Sequence, residues 1–357
     1  MRAWNRAKLL WGYLARRPSM AALPVEYIVE TTAKCNLYCP MCPRETHPQP
    51  KADMTDGVFE RLVSESASTA EHMMLIGLGE PFLDPHIFER IEYCHRHSIS
   101  ALLSTNGTFL DERNAGRILD SPLDQITLSF DGARKETFEF YRKGANFEKV
   151  RDNFVRFARM KHARRRKLQV VVQMVKMPGN AAEVEDFTRF WSAVEGVDQV
   201  RVKEDETNVL GPAGHQAGDW KHPCHYLWRG PVYVKQNGDV YPCCQSYMLD
   251  GAPLGNVAEK PLLQIWNGEA VQGMRRLHAP DFSRQNSAAA DPAGGAAGLF
   301  FEAAGEAVAA AAEEGGIETL LNVAGSKRRL KAGGSQDWLP HMVQMFSIGK
   351  THPTYFA

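Results

Sequence analysis

The sequence has no surplus of charge. Lys plus Arg and Asp plus Glu each number 42 in 357 residues, so the formal net charge is zero. That removes the electrostatic reason to expect a nucleic-acid partner. No apolar run is long enough to cross a bilayer, so no transmembrane segment is expected. There is no internal repeat beyond an alternation of strand and helix patterns. A disulfide framework is also not indicated. The seven cysteines are an odd number, no secretory-signal pattern precedes them, and three fall between Cys35 and Cys42. A reducing cytoplasm and metal chemistry are the expectation. What remains is an ordinary globular composition, 44% hydrophobic and 24% charged, which can bury a sizeable core. The length suits one large α/β domain with an appendage.

Residues 1–24 form one unit. Trp4, Leu10, Trp11 and Leu14 recur at roughly helical spacing among Arg2, Arg6, Lys8, Arg16 and Arg17. The stretch is too short and interrupted for a signal peptide. Either a basic amphipathic helix lies on a membrane surface or the helix packs on the protein body. The second is favoured, because such helices mostly bury their apolar stripe in protein.

From residue 25 to 210 short apolar strands alternate with helices. The strands are expected at Tyr27–Thr31, Met73–Leu78, Ser100–Ser104, Gln125–Phe130, Leu168–Val175 and Gln199–Lys203. Helices are expected at Thr55–Ser66, with Thr55 as N-cap, then Pro85–His97, Asp111–Leu119, Phe147–Lys161 and Glu183–Val194. Six strands separated by helices imply right-handed βαβ crossovers and a parallel sheet, with too few repeats to close an eight-fold barrel. The predicted fold class is α/β: a partial (β/α)6 barrel with its site at the C-terminal strand ends. Gly211–Gly218 reads as a linker. Residues 219–280 read as a small hairpin-and-helix metal-binding extension, with Asn237-Gly238 as a two-residue turn between Val232–Val234 and Val240–Tyr241. Short helices follow at Leu262–Trp266 and Ala270–Leu277. In the tail, 281–357, 19 of the 30 residues from Ser287 to Gly316 are Ala or Gly. Such a segment can bury little.

The main chemical signal is Thr31-Thr32-Ala33-Lys34-Cys35-Asn36-Leu37-Tyr38-Cys39-Pro40-Met41-Cys42. Three thiolates sit in one loop after the first strand. A closed zinc site wants four ligands, usually as two separated pairs, and a ferredoxin-type cluster wants four cysteines. Three local cysteines leave one iron open to a ligand. The alternative is a structural zinc loop with a fourth ligand such as His47.

The spacing C-x3-C-x2-C resembles the hallmark of the radical S-adenosylmethionine superfamily, and the resemblance runs over residues 25–205. It implies a 4Fe–4S cluster on Cys35, Cys39 and Cys42. The open iron would chelate S-adenosylmethionine, whose reductive cleavage gives a 5′-deoxyadenosyl radical that abstracts a substrate hydrogen. It also implies an electron donor such as flavodoxin or ferredoxin. Gly77-Leu78-Gly79-Glu80-Pro81 resembles the family's cofactor-binding GGEP element, with Gly79, Glu80 and Pro81 carrying over and Leu78 departing from it. Ser104-Thr105-Asn106-Gly107 and Ser129-Phe130-Asp131-Gly132 resemble loops lining the ribose and methionine pocket, which assigns Ser104, Asn106, Ser129 and Asp131 to the cofactor. Arg142 resembles the Arg contacting the cofactor carboxylate. Met41 stands where an aromatic often packs on adenine.

A second cysteine group follows. The turn at Asn237-Gly238 is expected to set Val232 opposite Cys243 and so bring Cys243 toward Cys224. Cys224, the G-x4-C pattern ending at Cys243, and Cys244 resemble the opening half of a SPASM/twitch extension. That resemblance implies an auxiliary iron–sulfur cluster and continues through Leu254-Gly255-Asn256-Val257 and Ile265-Trp266-Asn267-Gly268. No cysteine follows Cys244, where the family supplies more. A three-cysteine cluster with another ligand, a degenerate site, and a reading-frame change near residue 280 all remain open. Cys94 is read as a core thiol and Arg159–Lys167 as a solvated basic face. Glu204, Asp205 and Glu206 are read as cavity or turn residues.

The sequence therefore predicts a radical enzyme acting on a peptide or small molecule, with peptide or protein maturation or biosynthetic tailoring as the role. The rival is an inactive iron–sulfur or zinc protein serving electron transfer or interaction.

Overall fold

The computed structural model describes residues 1–45, 50–204, 223–244 and 251–277. Its centre is one nine-stranded sheet in the order β6-β5-β4-β3-β2-β1-β7-β8-β9. Strands β1 (Glu26–Val29), β2 (His72–Leu75), β3 (Ser100–Thr105), β4 (Gln125–Ser129), β5 (Gln169–Lys176) and β6 (Gln199–Glu204) are all parallel. Six parallel strands with helical crossovers make the partial barrel, and its sheet does not close. Burial on both sides explains why the strands inside the sheet read as largely uncharged runs, while the edge strand β6 is half-buried and carries Arg201, Lys203 and Glu204. Outward Tyr27, Val29, Met73, Leu75, Leu103 and Ile126 pack under the helices. Inward Ile28, Met74 and Leu102 meet in the lumen.

The helices are α1 (Arg2–Leu14), α2 (Asp56–Ser66), α3 (Ile87–Arg96), α4 (Glu112–Asp120), α5 (Lys135–Tyr141), α6 (Phe147–Ala163) and α7 (Val184–Ser192). The starts of α2, α4 and α6 are fixed by side-chain caps. Thr55 accepts from the Val58 amide, Asp111 from Asn114, and Asn146 from Lys149. Each cap contributes about 1 kcal/mol. Phe130 anchors an aromatic cluster behind β4, with Phe138 at 4.4 Å and Trp191 at 5.0 Å between ring centroids.

The extension contributes α8 (Tyr226–Arg229), β7 (Val232–Val234), β8 (Asp239–Tyr241), β9 (Gly255–Asn256), α9 (Leu262–Trp266) and α10 (Glu269–Leu277). It continues the barrel sheet. β7 pairs in parallel with β1, through Tyr27↔Val232 and Val29↔Val234. A buried Arg229–Glu26 pair, 2.6 Å, ties α8 to β1. The hairpin corrects one expectation. Its register is Tyr233↔Tyr241 and Val234↔Val240, and the Lys235 amide donates to the Asp239 carbonyl at 2.9 Å. The loop is therefore the three residues Gln236-Asn237-Gly238, with Gly238 at φ 91° as the bulge residue. Asn-Gly fits both loop lengths, and the longer one shifts the register by a residue. Pro242, not Cys243, falls beside Val232.

Helix α1 packs on the body. Leu9 and Tyr13 join Met20, Val25, Leu227 and Trp228 in a second apolar cluster. Gly211–Gly218, Asp205, Glu206, His47 and the tail from 281 lie outside the described residues. Among the described residues, no helix is long and apolar enough to cross a membrane.

Candidate active site

The loops after β1, β2, β3 and β4 converge on the cysteine triad at the C-terminal ends of the strands. Cys39 is buried, and Cys35 and Cys42 are half-buried. The triad loop is shaped from within and without. The Cys42 amide donates to the Cys39 carbonyl at 2.9 Å. Arg44 donates to the Cys35 carbonyl at 3.2 Å and to the Leu37 carbonyl. The Tyr38 amide donates to the Lys143 carbonyl at 2.9 Å, joining the loop to the end of α5.

The loop after β2 lies directly on the triad loop. A Cβ on Gly79 would sit 2.0 Å from the Thr32 carbonyl oxygen, a distance no side chain tolerates. The Glu80 amide donates to the Lys34 carbonyl at 2.7 Å. Glu80 itself is buried. Its carboxylate accepts from Thr105 Oγ1 at 2.6 Å, the Asn106 amide at 2.8 Å and the Phe82 amide at 3.4 Å. Burial pushes its pKa up to about 7, and those hydrogen bonds and Arg142 hold it from rising further. A carboxylate has about four acceptor positions, so one remains for a further donor. Pro81 is buried and opens a short 3-10 turn.

The next two loops present polar atoms toward the triad. Asn106 Nδ2 lies 4.0 Å from Cys35 Sγ and donates to Asn36 Oδ1 at 3.0 Å. Gly107, at φ 76°, turns the loop where a Cβ would strike Phe154. Ser104 and Ser129 hydroxyls pair at 3.3 Å across β3 and β4. Asp131 is fully buried and accepts from Arg142 Nε at 2.6 Å and the Val175 amide at 2.7 Å. Asp131 therefore orients Arg142. Burial opposes the Arg142 charge, but Asp131 and the neighbouring Cys39 and Cys42 sulfurs outweigh it and raise the pKa. Burial pushes the Cys39 thiol up to about 11, with Arg142 pulling against it. A thiol so placed gives up its proton to a metal ion and needs a nearby cation to offset the charge.

Sequence reasoning missed several of these residues. Arg44 and Asn36 shape the triad loop, and Thr105 holds Glu80. Glu30 is fully buried, and its Oε1 accepts from the Leu78 amide at 2.9 Å. Its signal was present: β alternation continues from inward Ile28 to position 30, where an acid replaces an apolar residue.

The second cysteine group lies at the other end of the sheet. Cys224 precedes α8 and packs against the apolar cluster of α1. Burial raises its thiol to about 11, and Cys243 adds to the rise, so the two sulfurs feel each other. Cys244 packs with the lumen residues Tyr233 and Tyr241. Cys94 is a core thiol against Met73, and Glu204 pairs with Lys176 at 2.9 Å at the end of β6. Among the described residues, no three His, Cys, Asp or Glu side chains gather closely enough to hold one metal ion. A mononuclear zinc site needs that gathering, whereas a four-iron cluster takes each thiolate on a separate iron.

A partial parallel barrel with three thiols at its C-terminal mouth defines a class of iron–sulfur enzyme. The family comparison names it. The Radical SAM superfamily model matches residues 29–190, and the SPASM iron–sulfur cluster-binding domain model matches residues 224–289. The chain belongs to the radical SAM superfamily and carries a SPASM-type extension. It is an enzyme of that superfamily, using S-adenosylmethionine and a 4Fe–4S cluster, and its extension matches an iron–sulfur cluster-binding domain. The AdoMet-dependent heme synthase of Methanosarcina barkeri is 30% identical over 114 residues, which is 32% of this chain and only 33% of that protein. The PqqA peptide cyclase of Gluconobacter oxydans is 24% identical over 286 residues, 71% of this chain and 79% of the cyclase. Streptococcus suis SuiB bound to the precursor peptide SuiA shares the fold, with TM-score 0.53 and 13% identity over 73% of this chain and 68% of SuiB.

Proposed function

We propose that this chain is a peptide maturase that abstracts hydrogen from an unactivated carbon of its substrate. The carrying observation is the convergence of Glu80, Asn106 and Arg142 on the loop of Cys35, Cys39 and Cys42. The peptide cyclase, which aligns over most of its own length, supports a peptide as the substrate class. Within this reading residues 1–24 are an N-terminal helix, 25–210 the catalytic barrel and 219–280 the auxiliary-cluster extension.

The donor set suits the cofactors. Three thiols in one loop, one of them buried beside a guanidinium, fit an iron–sulfur cluster with one iron open. Gly79, Glu80, Pro81, Ser104, Asn106, Ser129, Asp131 and Arg142 would hold S-adenosylmethionine. What cluster and cofactor supply when bound is one strongly reducing electron and, from it, a primary carbon radical. The chain's own residues do the rest. The open acceptor position of Glu80 receives an ammonium group. Arg142, oriented by Asp131, balances the thiolate charge and faces a carboxylate. The Asn106 amide stands beside Cys35, where hydrogen bonds to sulfur tune potential. The apolar lumen of Ile28, Met74, Leu102, Tyr233 and Tyr241 excludes water from a radical. Cys224, Cys243 and Cys244 would serve the auxiliary cluster.

The test is 5′-deoxyadenosine formation by anaerobically reconstituted protein with a chemical reductant and S-adenosylmethionine. The Cys35→Ala/Cys39→Ala/Cys42→Ala variant should give none. Candidate peptides encoded beside the gene, prepared in deuterated form, should pass deuterium into that product. Product from the triple variant would overturn the assignment. Deuterium transfer from a small alcohol or amine, and from no peptide, would move the substrate class.

A further inference from the structure

The chain is neutral as a whole, but its charge is not spread evenly. Residues 1–25 hold five basic side chains and no acid. Helix α1, which carries three of them, lies across the N-terminal ends of the strands, away from the triad. Arg6 pairs with Glu71 just before β2. Arg2 reaches the Ala67 and His97 carbonyls, each at 3.4 Å. The helix buries Asn5, Ala7, Leu9, Gly12 and Tyr13. Its opposite face is left outward. Trp4 is 49% exposed there, and Trp11 follows seven residues later on the same side. The Lys8 ammonium sits 5.5 Å from the Trp4 ring centroid, and the Arg17 guanidinium 5.9 Å from that of Trp11.

A second basic stretch shares this end of the molecule. Residues 159–167 contain six Lys and Arg and no acid. Lys161 and Arg164 are held by Asp198 and Asp120, while Arg165 and Lys167 are exposed. A cavity of about 730 Å³ at this end is lined by Lys161, Arg166 and Lys167 together with His72, Asp124 and Asp198. His72 adjoins the Glu71 that holds α1. The two basic stretches therefore share the face opposite the triad.

We propose that this face docks on an anionic lipid surface, with Trp4 and Trp11 at headgroup depth. Tryptophan favours the water–hydrocarbon boundary, and cations beside it meet anionic headgroups. On the outward side of α1 Lys8 and Arg17 each stand beside a tryptophan, the pairing that suits a headgroup boundary and so favours lipid. Docked this way, the triad mouth faces the solvent.

The full chain is sedimented with vesicles of phosphatidylcholine alone and of phosphatidylcholine mixed with phosphatidylglycerol. Binding is expected only to the mixed vesicles, with release at high salt. Each removed cation should weaken it about fivefold, so Lys8→Ala/Arg17→Ala should lose roughly thirtyfold. Trp4→Ser/Trp11→Ser should abolish binding. Trp4→Ser alone, at the more exposed ring, should weaken binding without lowering the melting temperature. Equal binding to both vesicles, retained binding in the tryptophan and charge variants, or duplex DNA stripping the protein from the vesicles would each overturn the proposal.

Discussion

Glu80→Gln is the most informative single change in the site. In the folded chain Glu80 is buried, accepts three hydrogen bonds, and has its pKa pushed up to about 7. Its proton is thus held more tightly in the folded state than in the unfolded one. Its contribution to stability is full below the ordinary carboxylate range and is lost as pH rises through about 7. A bound ammonium reverses that preference, because it favours the ionised form. Affinity for S-adenosylmethionine should therefore rise by up to about tenfold between roughly pH 6 and pH 8, with proton release on binding. Glutamine removes the charge and turns one acceptor into a donor, facing either the Thr105 hydroxyl or the Asn106 amide. A charge-assisted hydrogen bond contributes about 1.5–3 kcal/mol, so affinity at neutral pH should fall about tenfold or more. Titration calorimetry at several pH values, on protein of verified iron content, measures both effects. Unchanged affinity with a parallel pH profile in the variant would refute the ammonium role and leave Glu80 as a brace between two loops.

Three further outcomes are expected. In a Cys35/Cys39/Cys42 triple-Ala background, iron should persist on Cys224 and Cys243 and give an electron paramagnetic resonance signal after reduction; folded protein without iron would mark the extension as degenerate. Gly79→Ala should abolish cofactor cleavage, because its Cβ would sit 2.0 Å from the Thr32 carbonyl oxygen, whereas Gly57→Ala on α2, with open space around it, should leave cleavage intact. Arg142→Met should destabilise the fold by about 3–5 kcal/mol in denaturant titration, since it strands the buried Asp131 charge; a variant as stable as the parent would contradict that pairing.

The barrel was legible because most of its strands are buried on both faces, which leaves an apolar run at Val170–Val172 in β5 and keeps even the alternating Gln-Ile-Thr-Leu-Ser of β4 free of charge. The triad was legible because its ligands are local in sequence. Contacts between distant segments left no such trace. Nothing near Val232 announces that it pairs with Tyr27, and nothing near Thr105 that its hydroxyl serves Glu80. The hairpin failed for another reason: Asn-Gly serves two turn lengths, and only the Lys235–Asp239 pairing decides between them. Asp131 was assigned to the cofactor by position, and the structure adds what position did not show, that its oxygens accept from Arg142 and from β5.

The pairing of β7 with β1 bears on any attempt to dissect the molecule. β1 is an interior strand only while the extension is present, with β2 on one side and β7 on the other. Cutting the chain before residue 223 would strip one side of Glu26–Val29 and leave its amides and carbonyls beside an apolar surface. Such an edge recruits other chains. A shortened catalytic fragment should therefore precipitate rather than fold, and expression trials should keep both halves on one polypeptide or supply the second half in trans.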